Sequence, residues 1–351
     1  MSQEPLKEAS FKGRLVLTCK YGENGYQVPA ALYGAGSDDP LGLDRFKIVA
    51  GTEPSYNNLC DIDRLLQTVT HIAAAFEVNR GRVPLVAVGV KHGNPCGAAV
   101  SWDEPAGAAR RMIMGDPLAI FGGLVMVNYG VTEEVAEALV AHGMPEGQRR
   151  PLDGIVAPSF EEGAVGLFKR KGDKCRLLEN PALSGLGLKS LDAAPRFRFV
   201  RGGFLMQPNY TFVLDLKDPE LMKYGSATEA QENDMLLAKA IGDTSNSNTV
   251  TIVKDGMLLA NGVGQQARVR GAKLAVNLTG YSGHDPSGAS ASSDSFFPFT
   301  DGVEVLRDAG IKAVVATSGS VKDAEVVRFC QESGVVLYHV PDRKARGFFG
   351  H

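Results

Sequence analysis

Short runs rich in Val, Ile and Leu alternate along this chain with longer stretches of helical period, and no other feature restricts the fold as much. Runs of that length are buried strands, and amphipathic helices between them imply a sheet covered on both faces, an α/β class. The spacing predicts strands over 15–21, 83–91, 123–128 and 154–159. Helices are predicted over 60–78, 104–115 and 132–143, the last opened by Thr132 as N-cap and closed by Gly143. The second half repeats the logic: a helix over 228–242, strands over 248–256 and 257–264, a helix over 302–310, a strand over 312–318, a helix over 322–334 and a strand over 335–340. No helical period runs through 185–203, which makes that stretch the internal boundary. Segments 88–93 and 251–256 read as distant copies, as do 115–123 and 293–302. The expectation is therefore two similar α/β units, with a site between them.

Composition removes several function classes. The 351 residues are 44% hydrophobic and 22% charged, which suits a packed soluble protein. Lys and Arg number 37 against 40 Asp and Glu, so there is no global field for nucleic acid or anionic lipid, and any anionic ligand must be met locally. The five cysteines, Cys19, Cys60, Cys96, Cys175 and Cys330, are odd in number with no C-x-x-C pair, which speaks against a disulfide framework. The first residues lack the apolar core of a secretory signal, and no apolar run approaches the length of a membrane span. A cytoplasmic protein is expected.

Three segments carry chemistry. Lys91, His92, Gly93, Asn94, Pro95, Cys96 and Gly97 directly follow an apolar strand. They either set a cation beside a proton-transfer group, on a turn whose amides can meet an anion or a carbonyl oxygen, or form a plain strand-end turn with a solvated Lys. Zinc-dependent nucleobase deaminases use H-x-E followed by P-C-x-x-C. Here Asn94 stands where the Glu would be and Ala99 where the second Cys would be, so zinc is not expected. In the second segment, Ser245 to Thr249 precede a strand and Gly264, Gln265, Gln266 and Arg268 follow it. Asn248 suits donation to an oxyanion and Arg268 a phosphate or carboxylate, the alternative being a polar turn with an ordinary surface Arg. The Gly262-Val263-Gly264 run lacks the third glycine of a dinucleotide fingerprint. In the third, Phe296, Phe297 and Phe299 surround Pro298 between Asp294 and Asp301, a set that can build either core or an apolar slot for a flat heterocycle.

Together with Lys20 to Asn24, Ser55 to Leu59, Asp116-Pro117, Phe121 to Gly123 and Ser318 to Ser320, these segments resemble, in order, the family that formylates 5-aminoimidazole-4-carboxamide ribonucleotide (AICAR) in purine synthesis. The resemblance runs from about residue 14 to the C-terminus. It implies two tandem cytidine-deaminase-like α/β/α units, over 14–200 and 201–351 after a tail over 1–13, and a homodimer with active sites shared across the interface. It implies 10-formyltetrahydrofolate as co-substrate, His92 as proton shuttle, Lys91 as its tuning partner and Asn248 as oxyanion donor. Lys20, Tyr21, Asn94, Arg268, Phe296, Pro298, Asp301 and the terminal His351 fall at substrate and folate positions. Potassium is implied near Asp294, Ser245 and Ser247. With only about 13 residues ahead of the match, a stand-alone form is expected, with IMP cyclohydrolase supplied by a separate protein.

The family pattern is broken in places. An Arg is replaced by Lys20, a basic stretch before Ser247 by Gly242-Asp243-Thr244, an Asn-Pro-His-Gln run by Asn24-Gly25-Tyr26-Gln27, and an Asp after the Gly-Gly strand in Gln207-Pro208-Asn209-Tyr210. These changes bear on the phosphate grip more than on formyl transfer. They keep two alternatives in view: a paralogue acting on a related aminoimidazole, and a non-catalytic nucleotide or folate sensor.

Overall fold

Twelve strands hydrogen-bond into one mixed sheet that runs the length of the molecule, with helices on both faces. The computed structural model describes residues 7–10 and 12–348. A detached hairpin, β1 (Arg14–Cys19) and β2 (Ala30–Gly34), comes first. It is followed by β3 (Lys47–Ala50), α1 (Tyr56–Arg80), β4 (Leu85–Lys91), β5 (Asn94–Ser101), α2 (Pro105–Gly115), β6 (Leu124–Val127), α3 (Glu133–Val140), β7 (Gly154–Ala157), α4 (Glu162–Leu167) and β8 (Arg176–Glu179). A second detached hairpin, β9 (Arg196–Val200) and β10 (Gly203–Gln207), occupies the stretch without helical period. Then come β11 (Met222–Tyr224), α5 (Glu229–Asp243), β12 (Val250–Lys254), β13 (Met257–Gly262), α6 (Arg268–Tyr281), β14 (Ser290–Ser293), α7 (Asp301–Asp308), β15 (Ala313–Ser318), α8 (Asp323–Ser333), β16 (Val336–Pro341) and α9 (Asp342–Ala345).

The strand order is β11-β16-β15-β14-β12-β13-β5-β4-β6-β7-β8-β3. Outward from the β13/β5 seam, where Met257 lies opposite Ala99, both halves show the same steps: an antiparallel hairpin, an antiparallel neighbour, two parallel neighbours and an antiparallel edge strand. Side chains alternate between the faces, as a doubly covered sheet requires. Val86, Val88 and Val90 enter a core shared with α1 and α5, whereas Ala87 enters a separate core under α2 and α3. On β15, Ala313 and Val315 join the shared core while Val314 and Ala316 face α6 and α7. The two long helices thus lie side by side over the seam and bind the halves together.

Cap chemistry sets the helix starts. Ser55 and Thr228 each close a capping box, with Asn58 and Gln231, so α1 begins four residues before the predicted start. The copies at 88–93 and 251–256 are equivalent hairpin turns: His92 and Gly93 have φ of 53° and 72°, Asp255 and Gly256 53° and 71°. Each turn is held by the carboxylate six residues after the N-cap, Asp61 to the Gly93 amide at 2.7 Å and Asp234 to the Gly256 amide at 2.7 Å. The other supposed pair is not equivalent. Segment 115–123 precedes β6, whereas 293–302 follows β14; the counterpart of Asp116, which caps the Ala119 amide, is Asp285, which caps that of Ser287.

Candidate active site

The end of α1 nearest Ser55 gathers the first group of candidate residues. Asn57 donates to the Glu23 carbonyl at 3.3 Å and so fixes the loop carrying Lys20 and Tyr21 beside the helix start. One turn on, Asp61 holds the amide of Gly93 and thereby the tip of the β4/β5 hairpin. Burial raises the Asp61 carboxyl above the usual range, against the downward pull of that amide and of nearby His92. Lys91 donates to the carbonyl of Phe121 at 2.7 Å, which brings the Phe-Gly-Gly turn to the same place. His92 stands exposed at the tip in left-handed backbone, where the equivalent turn has Asp255. Asn or Asp is what such a turn prefers, so a histidine there costs local stability and keeps an imidazole in solvent.

The second group lines a cleft of about 460 Å³ formed by Asn248, the start of α6, the Ser295–Asp301 loop and the C-terminal segment. The three Phe residues divide: Phe297 is buried in core, while Phe296 and Phe299 face the cleft with Pro298. Arg346 stands over the rings of Phe296 and Phe348, 5.7 and 5.8 Å from their centroids. Asp301 is exposed at the mouth, at the first position of α7. A cleft lined by aromatic rings together with an acidic residue and a guanidinium suits a planar, hydrogen-bonding heterocycle with an anionic tail.

Arg268 also lines the cleft, but its guanidinium is committed within the protein. It pairs with Asp294, which is wholly buried, donates to Ser293 Oγ at 2.8 Å and donates to Asn248 Oδ1. This makes it an orienting group for Asn248 rather than the free clamp that its sequence position suggests. With Oδ1 accepting from Arg268 and one Nδ2 hydrogen directed to the Gln265 carbonyl at 2.6 Å, Asn248 keeps one N–H to offer. The Ser247–Asn248 peptide is cis.

Lys20, Tyr21, Lys91, His92 and Asn94 stand outside the cleft. The groups meet where the Asn246 amide donates to Asn94 Oδ1 at 3.1 Å. Arg64, buried on α1, reinforces the junction by donating to the Thr244 carbonyl and to Asn246 Oδ1. His351 lies outside the described residues. Of the donors expected for potassium, Asp294 and Ser245 have partners within the protein. Asp294 spends one oxygen on Arg268 and the other on the Thr249 amide, and the Ser245 hydroxyl donates to Ile241 O while accepting from Asn261. Among the described residues, no group of three His, Cys, Asp or Glu side chains is placed to hold a metal ion, and no helix is long and apolar enough to cross a membrane. Sequence reading overlooked Asp61, Arg64 and Arg346. Of these only Asp61 had a local signal, its match to Asp234 in the other half.

The model of the AICARFT/IMPCHase bienzyme family matches residues 2–278. The chain belongs to that family. It is 33% identical over 328 residues to the bifunctional purine biosynthesis protein PurH of Caulobacter vibrioides, covering 93% of this chain and 58% of that protein. The PurH proteins of Rhodopirellula baltica and Corynebacterium glutamicum are 33% and 36% identical over 327 residues, each alignment covering 91% of this chain and 56% of the relative. The chain thus spans somewhat over half the length of the curated relatives it matches.

Proposed function

We propose that this family member is a formyltransferase of purine biosynthesis, moving the formyl group of 10-formyltetrahydrofolate to the 5-amino group of AICAR. The observation that carries the reading is the coexistence of an exposed Lys91–His92 tip with an aromatic cleft whose edge holds an oriented, half-free Asn248. The 5-amino group is conjugated to an electron-poor ring and attacks only as a base removes its proton. In the proposed reaction the amine nitrogen bonds to the formyl carbon, and the carbonyl oxygen gathers charge opposite the remaining Asn248 N–H. His92 takes the amine proton. The carbon–N10 bond then breaks, N10 of tetrahydrofolate is protonated, and the oxygen returns to a carbonyl. Lys91, anchored on Phe121, supplies positive charge beside the imidazole.

The reading includes a cytoplasmic enzyme built from two deaminase-like units and working as a homodimer. The separation of the two groups supports a site completed by a second copy, the His92 tip of one protomer facing the cleft of its partner. The detached hairpins support the same view, because isolated two-stranded ribbons are marginal in water and these expose Leu15, Tyr33 and Leu205. The test is direct: purified protein with AICAR and 10-formyltetrahydrofolate, followed by tetrahydrofolate release. Turnover dependent on both substrates is expected, and its absence in a folded protein that binds both would favour the sensor alternative.

A further inference from the structure

The two runs that break the family pattern at Gln207 to Tyr210 and at Gly242 to Thr244 meet in space. Tyr210 Oη donates to Asp243 Oδ2 at 2.8 Å. Asp243 is 2% exposed, and its other oxygen accepts from Lys239 Nζ, itself 1% exposed and one turn earlier on α5. The Tyr210 ring stacks on buried His71 of α1, with centroids 5.7 Å apart and planes at 16°. A buried ammonium, carboxylate and phenol are costly to assemble, and an ordinary helix surface would not retain them.

What the cluster holds is the end of the described chain. Lys239 Nζ donates to the carbonyl of Ala345 at 3.0 Å, and the Gly347 amide donates to the Asp294 carbonyl at 3.1 Å. Gly347 lies so close that a Cβ there would fall 2.3 Å from Asp243 Cγ, so the segment passes directly over the carboxylate. Between and beyond these anchors stand Arg346 and Phe348, both in the wall of the aromatic cleft. The segment follows the last described elements, β16 ending at Pro341 and α9 at Ala345.

We propose that Lys239, Asp243 and Tyr210 are positioning residues for the cleft: by gripping the backbone at Ala345 they fix the strap that presents Arg346 and Phe348 to the heterocycle of the ligand. The ligand's identity as a reduced folate rests on the function proposed above; the grip itself does not.

The decisive variant is Lys239→Met with Asp243→Asn, which removes both buried charges together and keeps the volumes close. The fold should survive, with a melting temperature near wild type, because a buried ion pair replaced as a unit costs little. Hydrogen exchange measured by mass spectrometry should rise about tenfold or more over 343–348, and not elsewhere. If the strap is then ordered about a fifth of the time, tetrahydrofolate measured by calorimetry should bind about fivefold more weakly. Tyr210→Phe, which keeps the ring stack and loses only the hydroxyl, should shift both readouts in the same direction by less. Asp301→Asn is the control: it should weaken tetrahydrofolate binding with exchange over 343–348 unchanged. Unchanged exchange in a folded double variant overturns the proposal, as does faster exchange with undiminished tetrahydrofolate affinity. A wild-type protein that binds no tetrahydrofolate would sink the folate reading instead, and the exchange comparison would still decide whether the clamp holds the strap.

Discussion

Replacing Arg268 by Met should damage stability and turnover for two separable reasons. Asp294 is wholly buried, and its carboxylate pairs with Arg268 and accepts from the Thr249 amide at 3.1 Å. Removing one member of a buried pair leaves an uncompensated charge and typically costs about 3–5 kcal/mol. For 351 residues the unfolding entropy is about 0.7 kcal/mol/K near the midpoint, so the melting temperature should fall by about 4–7 °C. Adding Asp294→Asn removes the stranded charge and should restore most of that loss, a coupling readable from the double-mutant cycle. Activity should not recover with it. In both variants Asn248 Oδ1 lacks its guanidinium, the amide can turn, and loss of a fixed oxyanion donor lowers kcat by about 100-fold to 1,000-fold. Calorimetry of the four proteins with steady-state kinetics on each is the assay. A single variant that melts with wild type would refute the electrostatic argument. A rise in KM with kcat unchanged would refute the orienting role and make Arg268 a direct ligand contact, as its sequence position implied.

His92→Ala should lower kcat by about 100-fold to 10,000-fold while nucleotide affinity is kept, because the imidazole is assigned to proton transfer; a variant retaining half of wild-type turnover would remove that role. Lys20→Ala should raise KM for the ribonucleotide more than it lowers kcat, and wild type should prefer nucleotide to nucleoside; equal kcat/KM for the two would promote the paralogue. Activity per chain should fall on dilution through the dimer dissociation constant, and an active monomer in sedimentation would exclude the shared site. Burial lowers the His71 pKa to about 4, so below about pH 6.5 the unfolded chain takes up a proton that the folded one refuses, and stability falls with pH. Between pH 7 and pH 5 wild type should lose about 2 kcal/mol relative to His71→Leu. Asp234 and Asp243, both raised to about 6 by burial, work in the opposite direction but cancel in that comparison, and parallel pH profiles for the two proteins would show that His71 is not responsible.

Much of this molecule is written locally. Strand runs such as 83–91 and 312–318 and the cap at Thr132 are legible because burial on both faces of a sheet demands continuous apolar runs and helix ends demand side-chain acceptors. The likeness of 88–93 to 251–256 survives because a two-residue turn with positive φ tolerates few residues. Helix α6 escaped the reading: Arg268–Tyr281 buries only Arg268, Gly271, Ala272, Ala275 and Thr279, too few large apolar residues to show a period. Strand β5 escaped because Pro95 and Gly97 read as turn residues, although the hairpin absorbs them with a register shift beside Gly89 and Val90. The sequence by itself determined the α/β alternation, the motif segments and through them the family. Only the tertiary structure decided that Arg268 answers to Asp294, that Tyr210 meets Asp243, and that the candidate residues fall into two groups touching at Asn94 and Asn246. Those pairings join residues far apart in the chain, and what makes them strong is the exclusion of water around them, which no local pattern of residues records.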